Sequence, residues 1–415
     1  MTTPTMDRSY RALLAVPSLG RILLGMAISR IGGGMLSVAA ILFTLERYDS
    51  PALAGLVSFA SVAPGLLVSP IAGALLDRHG RTRLIVLDLI VGSIALLLIA
   101  VLAVLDLLPP WLLVAIMAVA SLTSPLSTTG LRSLFPIIVP PHLWERANAV
   151  DSNGYVLMTL IGPPSAGALI QFAGGPAAMV VIGVVLAVSA AILAGSPDPE
   201  TDTVTSGSIL KDAWLGLIYT WRNPSLRGLG FSISALNLAG GALTIVIPLI
   251  ILQRLGGTEA MVGLAFAVMG ITGAVAAFMF GRVHSEGIER PMLALPMLGV
   301  AAALLLLLPG PNLVLLVLAL AAFGFLNGPL DIALFTLRQR RTDPAWMGRA
   351  FAVSMAFNYA GVPLGALAAG LMGSSGIELV VLLAILCSVA AAAIAWWLIP
   401  ANAPAIGVIE EGPSA

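Results

Sequence analysis

The amino-acid sequence predicts an all-α membrane protein with twelve transmembrane helices in two pseudo-symmetric six-helix bundles. Charged residues make up 10% of the 415 positions and apolar residues 59%, and the mean hydropathy is +1.03. A charged loop at residues 73–83 also recurs in altered form at residues 281–290. A soluble domain has about 25% charged residues. A chain this apolar is therefore expected to lie in a lipid bilayer.

Twelve apolar segments separated by charges, Pro and Gly are long enough to span the bilayer. A helix needs about 20 apolar residues to cross the hydrocarbon, and lipid cannot hydrogen-bond to an open backbone, so these segments are expected to be helical. We number them span 1 to span 12. The predicted spans are residues 20–45, 52–75, 84–105, 111–132, 149–172, 176–195, 226–252, 260–281, 291–308, 312–337, 349–372 and 377–399.

The distribution of Lys and Arg predicts the orientation of these spans. With the N-terminus inside the cell, 17 of the 20 cationic residues fall on the cytoplasmic side. Arg47 and Arg254 fall outside, and Arg30 lies within a span. Cytoplasmic loops of membrane proteins are enriched in Lys and Arg. We therefore expect a multi-pass protein of the cell membrane with both termini in the cytoplasm.

The two halves of the chain resemble each other. The charged loops begin at Gly73 and Gly281, a step of 208, and the paired glycines Gly33-Gly34 and Gly240-Gly241 are 207 apart. Each half contains six spans with both ends inside, so the halves repeat in parallel topology. Two such bundles around a central path form the architecture of rocking transporters.

These patterns divide the chain into four parts. Residues 1–195 form the first bundle, 196–224 a cytoplasmic linker, 225–400 the second bundle and 401–415 a cytoplasmic tail. Apolar residues recur at helical spacing between residues 209 and 221, which predicts an amphipathic helix on the membrane surface. Interfacial anchoring is the simpler interpretation of this helix, and a regulatory docking site is the alternative.

Composition and motifs exclude several functions. The net charge is zero, so no broad basic face is offered to nucleic acid. Cys387 is the single cysteine, and the three histidines do not cluster, so neither a disulfide nor a metal site is expected. No Walker-type phosphate-binding motif and no hydrolytic or redox constellation is present. We expect no enzyme activity, no cofactor and a monomeric protein.

The first charged loop resembles a family signature. Its pattern is Gly73-x-x-x-Asp77-Arg78-x-Gly80-Arg81-x-Arg83, and it is similar to the loop between spans 2 and 3 of the major facilitator superfamily. Three phrases resemble the drug-efflux branch that includes macrolide exporters and the enterobactin exporter. They are Ser-Arg-Ile-Gly at 29–32, Glu-Arg-Ala-Asn at 145–148 and the segment 216–224. The resemblance implies transport of a small-molecule substrate.

The loop is predicted to act as a conformational latch. Asp77 can accept hydrogen bonds from Arg81 or from a helix N-terminus. The resemblance implies that this N-terminus belongs to span 11, so the contact would join the two halves in one state only. The latch comprises Gly73, Asp77, Arg78, Gly80 and Arg81. A topology anchor is the alternative role for the arginines.

Span 5 contains Gly162, Pro163 and Gly167, which resemble the antiporter motif of the family incompletely, since Ala166 replaces a glycine. Proline in a helix removes a backbone hydrogen bond, and glycine permits close helix contact. These residues predict a kink linked to export, with packing alone as the alternative.

Two charges lie within spans. Arg30 is about 14 Å deep and Asp331 about 9 Å at 1.5 Å per residue. A charge at such depth is expected to face a cavity or a partner. The resemblance implies that spans 1, 4, 7 and 10 line the cavity, so Arg30 and Asp331 could meet across the halves as a proton-sensitive gate. Anion binding by Arg30 and a structural pair are the alternatives.

Other polar residues in spans are interpreted by position. Asn237 and Asn327 are candidate cavity hydrogen-bonders. Asp88 and Asp151 near span ends are interpreted as interfacial, with a role as proton relays as the alternative. Gly33 and Gly34 stand where many relatives in this branch carry an acidic residue, which leaves the coupling ion open.

The sequence therefore supports three hypotheses about function. The main one is proton-coupled efflux of a small, largely apolar compound by rocker-switch alternating access. The first alternative is a carrier of an organic anion that uses Arg30. The second alternative is a membrane sensor or partner protein that keeps the fold without transport.

Overall fold

The computed structural model describes residues 9–196, 209–281, 283, 287–310, 312–343, 346–373 and 376–401. Within these ranges, twelve helical segments are long and apolar enough to cross a membrane, which confirms the predicted number of spans. The helices of spans 1 to 6 are Leu19–Tyr48, Pro51–Ala60 with Ala63–His79, Arg81–Val104, Pro110–Ser121 with Ser124–Ile138, Trp144–Ala173 and Gly175–Leu193. Those of spans 7 to 12 are Pro224–Leu249, Glu259–Phe280, Glu289–Leu304, Leu313–Arg340, Met347–Tyr359 with Gly361–Gly373, and Ile377–Leu398.

Shorter elements complete the described chain. A short helix, Tyr10–Leu14, precedes span 1, and the linker helix, Ile209–Arg222, precedes span 7. A 3-10 turn, Pro141–Leu143, leads into span 5, and a second, Leu305–Leu307, extends span 9. A π-helical turn, Ile250–Arg254, extends span 7.

Three spans consist of two helical segments because of proline. The second segments of spans 2, 4 and 11 contain Pro64, Pro125 and Pro363 within their first three residues. Proline lacks the backbone N–H that would continue the preceding helix, but it is well tolerated in the first turn of a new one. Span 5, by contrast, continues as one helix through Pro163 and Pro164.

The two bundles use the same helix pairings. In the first bundle, span 1 packs against spans 5 and 6, and span 3 packs against spans 4 and 6. In the second bundle, span 7 packs against spans 11 and 12, and span 9 packs against spans 10 and 12. Every pair recurs at an offset of six spans, which confirms the pseudo-symmetric arrangement. Between the bundles, span 5 packs against span 8 and span 2 against span 11.

The spans alternate in direction, so their ends define two faces. We call the face that carries the linker helix and the loop at Gly80 the linker face, and the opposite one the far face. At the far face, spans 5 and 6 are joined through Gly174, whose φ of 82° favours glycine. Gly80, with a φ of 90°, makes the equally short connection between spans 2 and 3 at the linker face.

Candidate functional site

A glycine seam joins spans 5 and 8 in the half of the molecule nearest the far face. A Cβ atom at Gly167 would lie 2.2 Å from the carbonyl oxygen of Glu259, and one at Gly263 would lie 2.4 Å from that of Pro163. Gly162 is similarly placed against span 1, since its Cβ would lie 2.6 Å from the carbonyl carbon of Gly34. Only glycine allows backbones to approach this closely. The motif of span 5 therefore lies at helix-packing contacts.

A second seam joins spans 2 and 11 at the same level. A Cβ atom at Gly55 would lie 2.5 Å from the carbonyl oxygen of Ala366. One at Gly370 would lie 2.6 Å from the carbonyl oxygen of Pro51, the first residue of span 2. The two seams hold the bundles in backbone contact on either side of the molecule. The bundles are thus closely apposed toward the far face.

Arg30 is buried within the first bundle. Its side chain is 9% exposed, and its guanidinium carbon lies 4.0 Å from the centroid of the Tyr155 ring on span 5. The neighbouring Gly154 makes room for it, because a Cβ there would lie 2.6 Å from Nη1 of Arg30. A guanidinium over an aromatic face is stabilised by the ring's electron density. In this state span 5 holds Arg30.

Asp331 is exposed on span 10. A carboxylate in a membrane-spanning helix is unfavourable against lipid, so we interpret its exposed surface as facing the space between the bundles. The ion pairs among the described residues join Arg47 to Asp106, Arg254 to Glu378 and Arg340 to Glu289. The expected Arg30–Asp331 pair is not among them. The reason is that Arg30 packs into its own bundle in this state.

The two candidate asparagines make local hydrogen bonds. The Asn237 amide donates to the carbonyl oxygen of Asn358 at 2.9 Å, which joins spans 7 and 11. The Asn327 amide donates to the carbonyl oxygen of Phe323, one turn earlier in span 10, at 3.0 Å. Both side chains are partly buried, and each donor already has a protein acceptor.

The latch loop is described in part. Arg81 is buried at the first residue of span 3, directly after Gly80. Gly73, Asp77 and Arg78 belong to the helix Ala63–His79, but their side-chain surroundings lie outside the described part of the structure. This helix contacts both Met347–Tyr359 of span 11 and the linker helix. The hydrogen-bonded latch itself stays a prediction.

Sequence reasoning missed a buried polar cluster between spans 10 and 11. Arg338 was counted only as a cytoplasmic-side charge, but its side chain is 0% exposed. Its Nη1 atom lies 2.8 Å from the Met355 sulfur. In the amide orientation that satisfies its neighbours, Asn358 accepts from Nη2 of Arg338 and donates to the backbone oxygen of Ser354 at 3.1 Å. Because Arg338 lies in an Arg-rich end of span 10, the sequence indicated a cytoplasmic-side charge rather than a buried one.

Asp88 also differs from its expected interfacial position. It is buried in span 3, and the Thr123 hydroxyl at the break of span 4 donates to its Oδ1 atom at 2.6 Å. Asp151 lies in the span 5 helix, and its side-chain surroundings fall outside the described residues.

The linker helix is docked on the second bundle. The Tyr219 ring stacks on Trp346 with centroids 5.0 Å apart, and its oxygen accepts from the backbone N–H of Asp343 at 2.9 Å. The Asn223 amide donates to the carbonyl oxygen of Arg341 at 2.7 Å. The loop between spans 10 and 11 therefore holds one side of this helix.

Comparison with known proteins assigns the family. The profile of the Major Facilitator Superfamily matches residues 22–240 and 228–414. The chain belongs to this superfamily. An uncharacterized MFS-type transporter, y4rN, of Sinorhizobium fredii is 36% identical over 95% of this chain and 98% of its own length. The resemblance inferred from the signature loop is thus confirmed, and the chain is a multi-pass membrane protein of a transporter family.

Efflux pumps are among the relatives. Multidrug efflux pump Tap of Mycolicibacterium fortuitum is 27% identical, with 84% of this chain and 87% of that protein covered. Macrolide efflux protein A of Streptococcus pyogenes is 24% identical, with 82% and 85% covered. A crystal structure of a bacterial homologue of the lysosomal transporter Spinster matches with a TM-score of 0.70 at 15% identity, covering 94% of this chain and 97% of that one. This match supports the fold alone.

Proposed function

We propose that this protein is a secondary active transporter that exports a small, largely apolar compound by alternating access, with protons as the coupling ion. The observation that carries the proposal is the close apposition of the bundles toward the far face. Glycine seams close the bundles on each other toward the far face, while Asp331 on span 10 remains exposed. The two relatives that are efflux proteins favour export over uptake.

In this proposal the linker face is cytoplasmic. This orientation is favoured because 17 cationic residues fall on that side. A state that loads substrate from the cytoplasm needs the far face closed, as the glycine seams hold it here. Export requires the glycine seams to separate and the linker face to close. The helix Ala63–His79 lies next to span 11 at that face, where the proposed latch of Asp77 and Arg81 would hold the closed linker face.

Asp331 is the proposed proton-coupling residue. Closure of the linker face would remove water from the space that its carboxylate faces, and an ionised carboxylate without water or a cation is costly in the membrane. Two events would relieve this cost, namely protonation of Asp331 or release of Arg30 from Tyr155 to pair with it. Protonation requires the neutral carboxyl and pairing with Arg30 the ionised one, so the proton and Arg30 compete for Asp331, which links occupancy by a proton to the state of the bundles.

The test uses purified protein in proteoliposomes with ethidium and labelled erythromycin as probes. We expect Asp331→Asn to lose transport driven by a pH gradient by at least about tenfold, since a neutral amide cannot carry the proton. Exchange of internal for external probe without a gradient should persist. Asp106→Asn, at an exposed carboxylate of the far face, is the matched control and should retain both activities.

Two outcomes would contradict the proposal. If Asp331→Asn retains gradient-driven transport, another group couples the proton. If a sodium gradient drives the wild-type protein and a pH gradient does not, the coupling ion is wrong.

The organic-anion alternative depends on Arg30, a buried cation near the middle of span 1. The stacked Tyr155 ring covers one side of its guanidinium, which leaves less of it for a ligand. Labelled benzoate in the same vesicles tests this alternative. Uptake or release of benzoate that disappears in Arg30→Gln would favour it over export of apolar compounds.

A further inference from the structure

The surface of the first bundle has an apolar groove between spans 3 and 6. Its volume is about 250 Å³, and its lining side chains are apolar except for Ser93. The lining from span 3 includes Val86, Ile90 and Ile94, and that from span 6 includes Ala187, Ala191 and Ala194. Ile90, Ile94 and these three alanines are exposed, so the groove opens outward from the bundle in the half nearest the linker face.

The groove forms because spans 3 and 6 touch at one level and have no bulky side chains between them at the next. A Cβ at Gly183 would lie 3.2 Å from the carbonyl oxygen of Ser93, and one at Gly92 would lie 3.2 Å from the Leu186 side chain. Below this contact, span 6 presents alanines, which cannot fill the space that opens toward the linker face.

In the second bundle, a tryptophan ring lies at the place that corresponds to the groove of the first bundle. Spans 9 and 12 are the counterparts of spans 3 and 6. Arg290, the second residue of span 9, lies over the Trp396 ring of span 12 with its guanidinium carbon 4.5 Å from the centroid. In the first bundle span 3 begins with Arg81 and Arg83, of which Arg83 is the exposed one, and span 6 offers alanines in place of an indole.

The dimensions of the groove match one leaflet of a bilayer. Arg83, Val86, Ile90 and Ile94 follow one another at helical spacing along one side of span 3. From Arg83 to Ile94 the helix rises roughly 16 Å, about half of a hydrocarbon core of roughly 30 Å. One acyl chain has this length. The surface faces the membrane, so lipid is the molecule in contact with it.

Two arginines flank the mouth of the groove. Arg83 is exposed at the linker-face end of span 3. Nη1 of Arg21 donates to the carbonyl oxygen of Gly195 at 2.7 Å, next to the groove residue Ala194. Guanidinium groups at the level of lipid headgroups attract anionic lipids and bind phosphate oxygens.

We propose that this groove binds one anionic phospholipid, with an acyl chain against the alanines of span 6 and the headgroup phosphate on Arg83 and Arg21. The proposal does not depend on the proposed transport function. Its test measures bound lipid in the absence of any gradient or transported probe, so failure of one leaves the other intact.

The test is native mass spectrometry of the purified full-length protein. The protein is incubated in detergent with equal amounts of palmitoyl-oleoyl phosphatidylglycerol and phosphatidylcholine. We expect the protein to retain one phosphatidylglycerol molecule in preference to phosphatidylcholine. Arg83→Gln should weaken this preference about fivefold, the factor that corresponds to about 1 kcal/mol per arginine near anionic lipid.

The variant Ala191→Trp places an indole in the groove and should reduce the retained lipid at least tenfold. Ala390→Trp is the matched control, because Ala390 is an exposed alanine on span 12, and it should retain the lipid. If Ala191→Trp does not yield a monodisperse protein, Ala191→Leu is measured instead, with a smaller loss expected.

Three results would overturn the proposal. They are equal retention of the two lipids by the wild-type protein, undiminished retention by the variants at Ala191, and equal losses in Ala390→Trp and Ala191→Trp.

Discussion

Arg338 is among the largest fully buried side chains of the described structure. Burial of a guanidinium is tolerated only when its hydrogen-bonding groups find partners. The Met355 sulfur, the Asn358 amide and the Phe335 ring 5.8 Å away surround it. Asn358 also accepts from Asn237 through its backbone oxygen. The cluster therefore joins spans 7, 10 and 11 at a single polar point.

Replacement of Asn358 by Leu should destabilise the protein by about 1.5–3 kcal/mol, because it removes a hydrogen bond to a buried charge. The double variant Arg338→Met with Asn358→Leu should recover part of the loss, since no charge is then left without its partner. Reversible unfolding in mixed detergent micelles measures both values.

The control for this experiment is Asn327→Leu, since Asn327 donates only within its own helix among the described contacts. Its cost should be about 1 kcal/mol or less. Additive losses in the double variant would show that Arg338 and Asn358 do not stabilise each other.

The linker helix has two different sides. Tyr219 and Thr220 are buried, whereas Trp214 and Trp221 are exposed and lie seven residues apart, close to two helical turns. Trp is frequent at membrane–water interfaces because its ring is apolar and its N–H is polar. Docking on its own chain is a feature that neither interpretation of this helix from sequence included. One side docks on the loop of spans 10 and 11, and the other has the composition of an interfacial anchor.

Tyr219→Ala should loosen this docking, because it removes both the Trp346 stacking and the acceptor for Asp343. An aromatic pair contributes about 0.5–1.5 kcal/mol beyond its buried area. We expect faster hydrogen–deuterium exchange in peptides that contain residues 209–222 and 338–343. Tyr219→Phe keeps the ring and should show a smaller increase. Equal exchange in all three proteins would indicate that the contact does not stabilise the helix.

At the scale of the whole molecule, the two glycine seams decide which face is closed. Spans 5 and 8, and spans 2 and 11, exchange roles under the pseudo-symmetry of the bundles. Backbone-to-backbone contact maximises dispersion attraction between helices that share a lipid solvent. The proposed transport cycle requires the seams to separate, and their glycines carry no side chains that would interlock. These properties suit an interface that alternates between two states.

Gly167→Ala should shift the protein away from the state closed at the far face, because its Cβ would lie 2.2 Å from the Glu259 carbonyl oxygen. Spin labels are attached at Asp106→Cys and Gln253→Cys in a Cys387→Ser background. The distance between them, measured by electron–electron double resonance, should be longer in Gly167→Ala than in the protein without this substitution. The control is Gly33→Ala, because a Cβ there meets nothing within 4 Å. An unchanged distance distribution in Gly167→Ala would show that the seam does not control the far face.

Particular residues show how much could be predicted from sequence. The number of spans, their alternation and the duplication followed from hydropathy, charge and the recurring loop. The breaks at Pro64 and Pro125 were not assigned, because a proline within a span predicts either a bend or a new helix start. The pairing of Arg30 with Asp331 was expected because the family resemblance implies that spans 1 and 10 line one cavity, but this structure places Arg30 on Tyr155.

The sequence by itself determined the bilayer as the solvent, the twelve spans and the family. These properties depend on the apolar content of consecutive residues and on turn residues between them, which are local along the chain. The tertiary structure alone decided that Arg338 is enclosed, that the linker helix docks through Tyr219 and that the far face is closed. Such contacts join residues distant in sequence, and they depend on which helix sides face each other once the bundles pack.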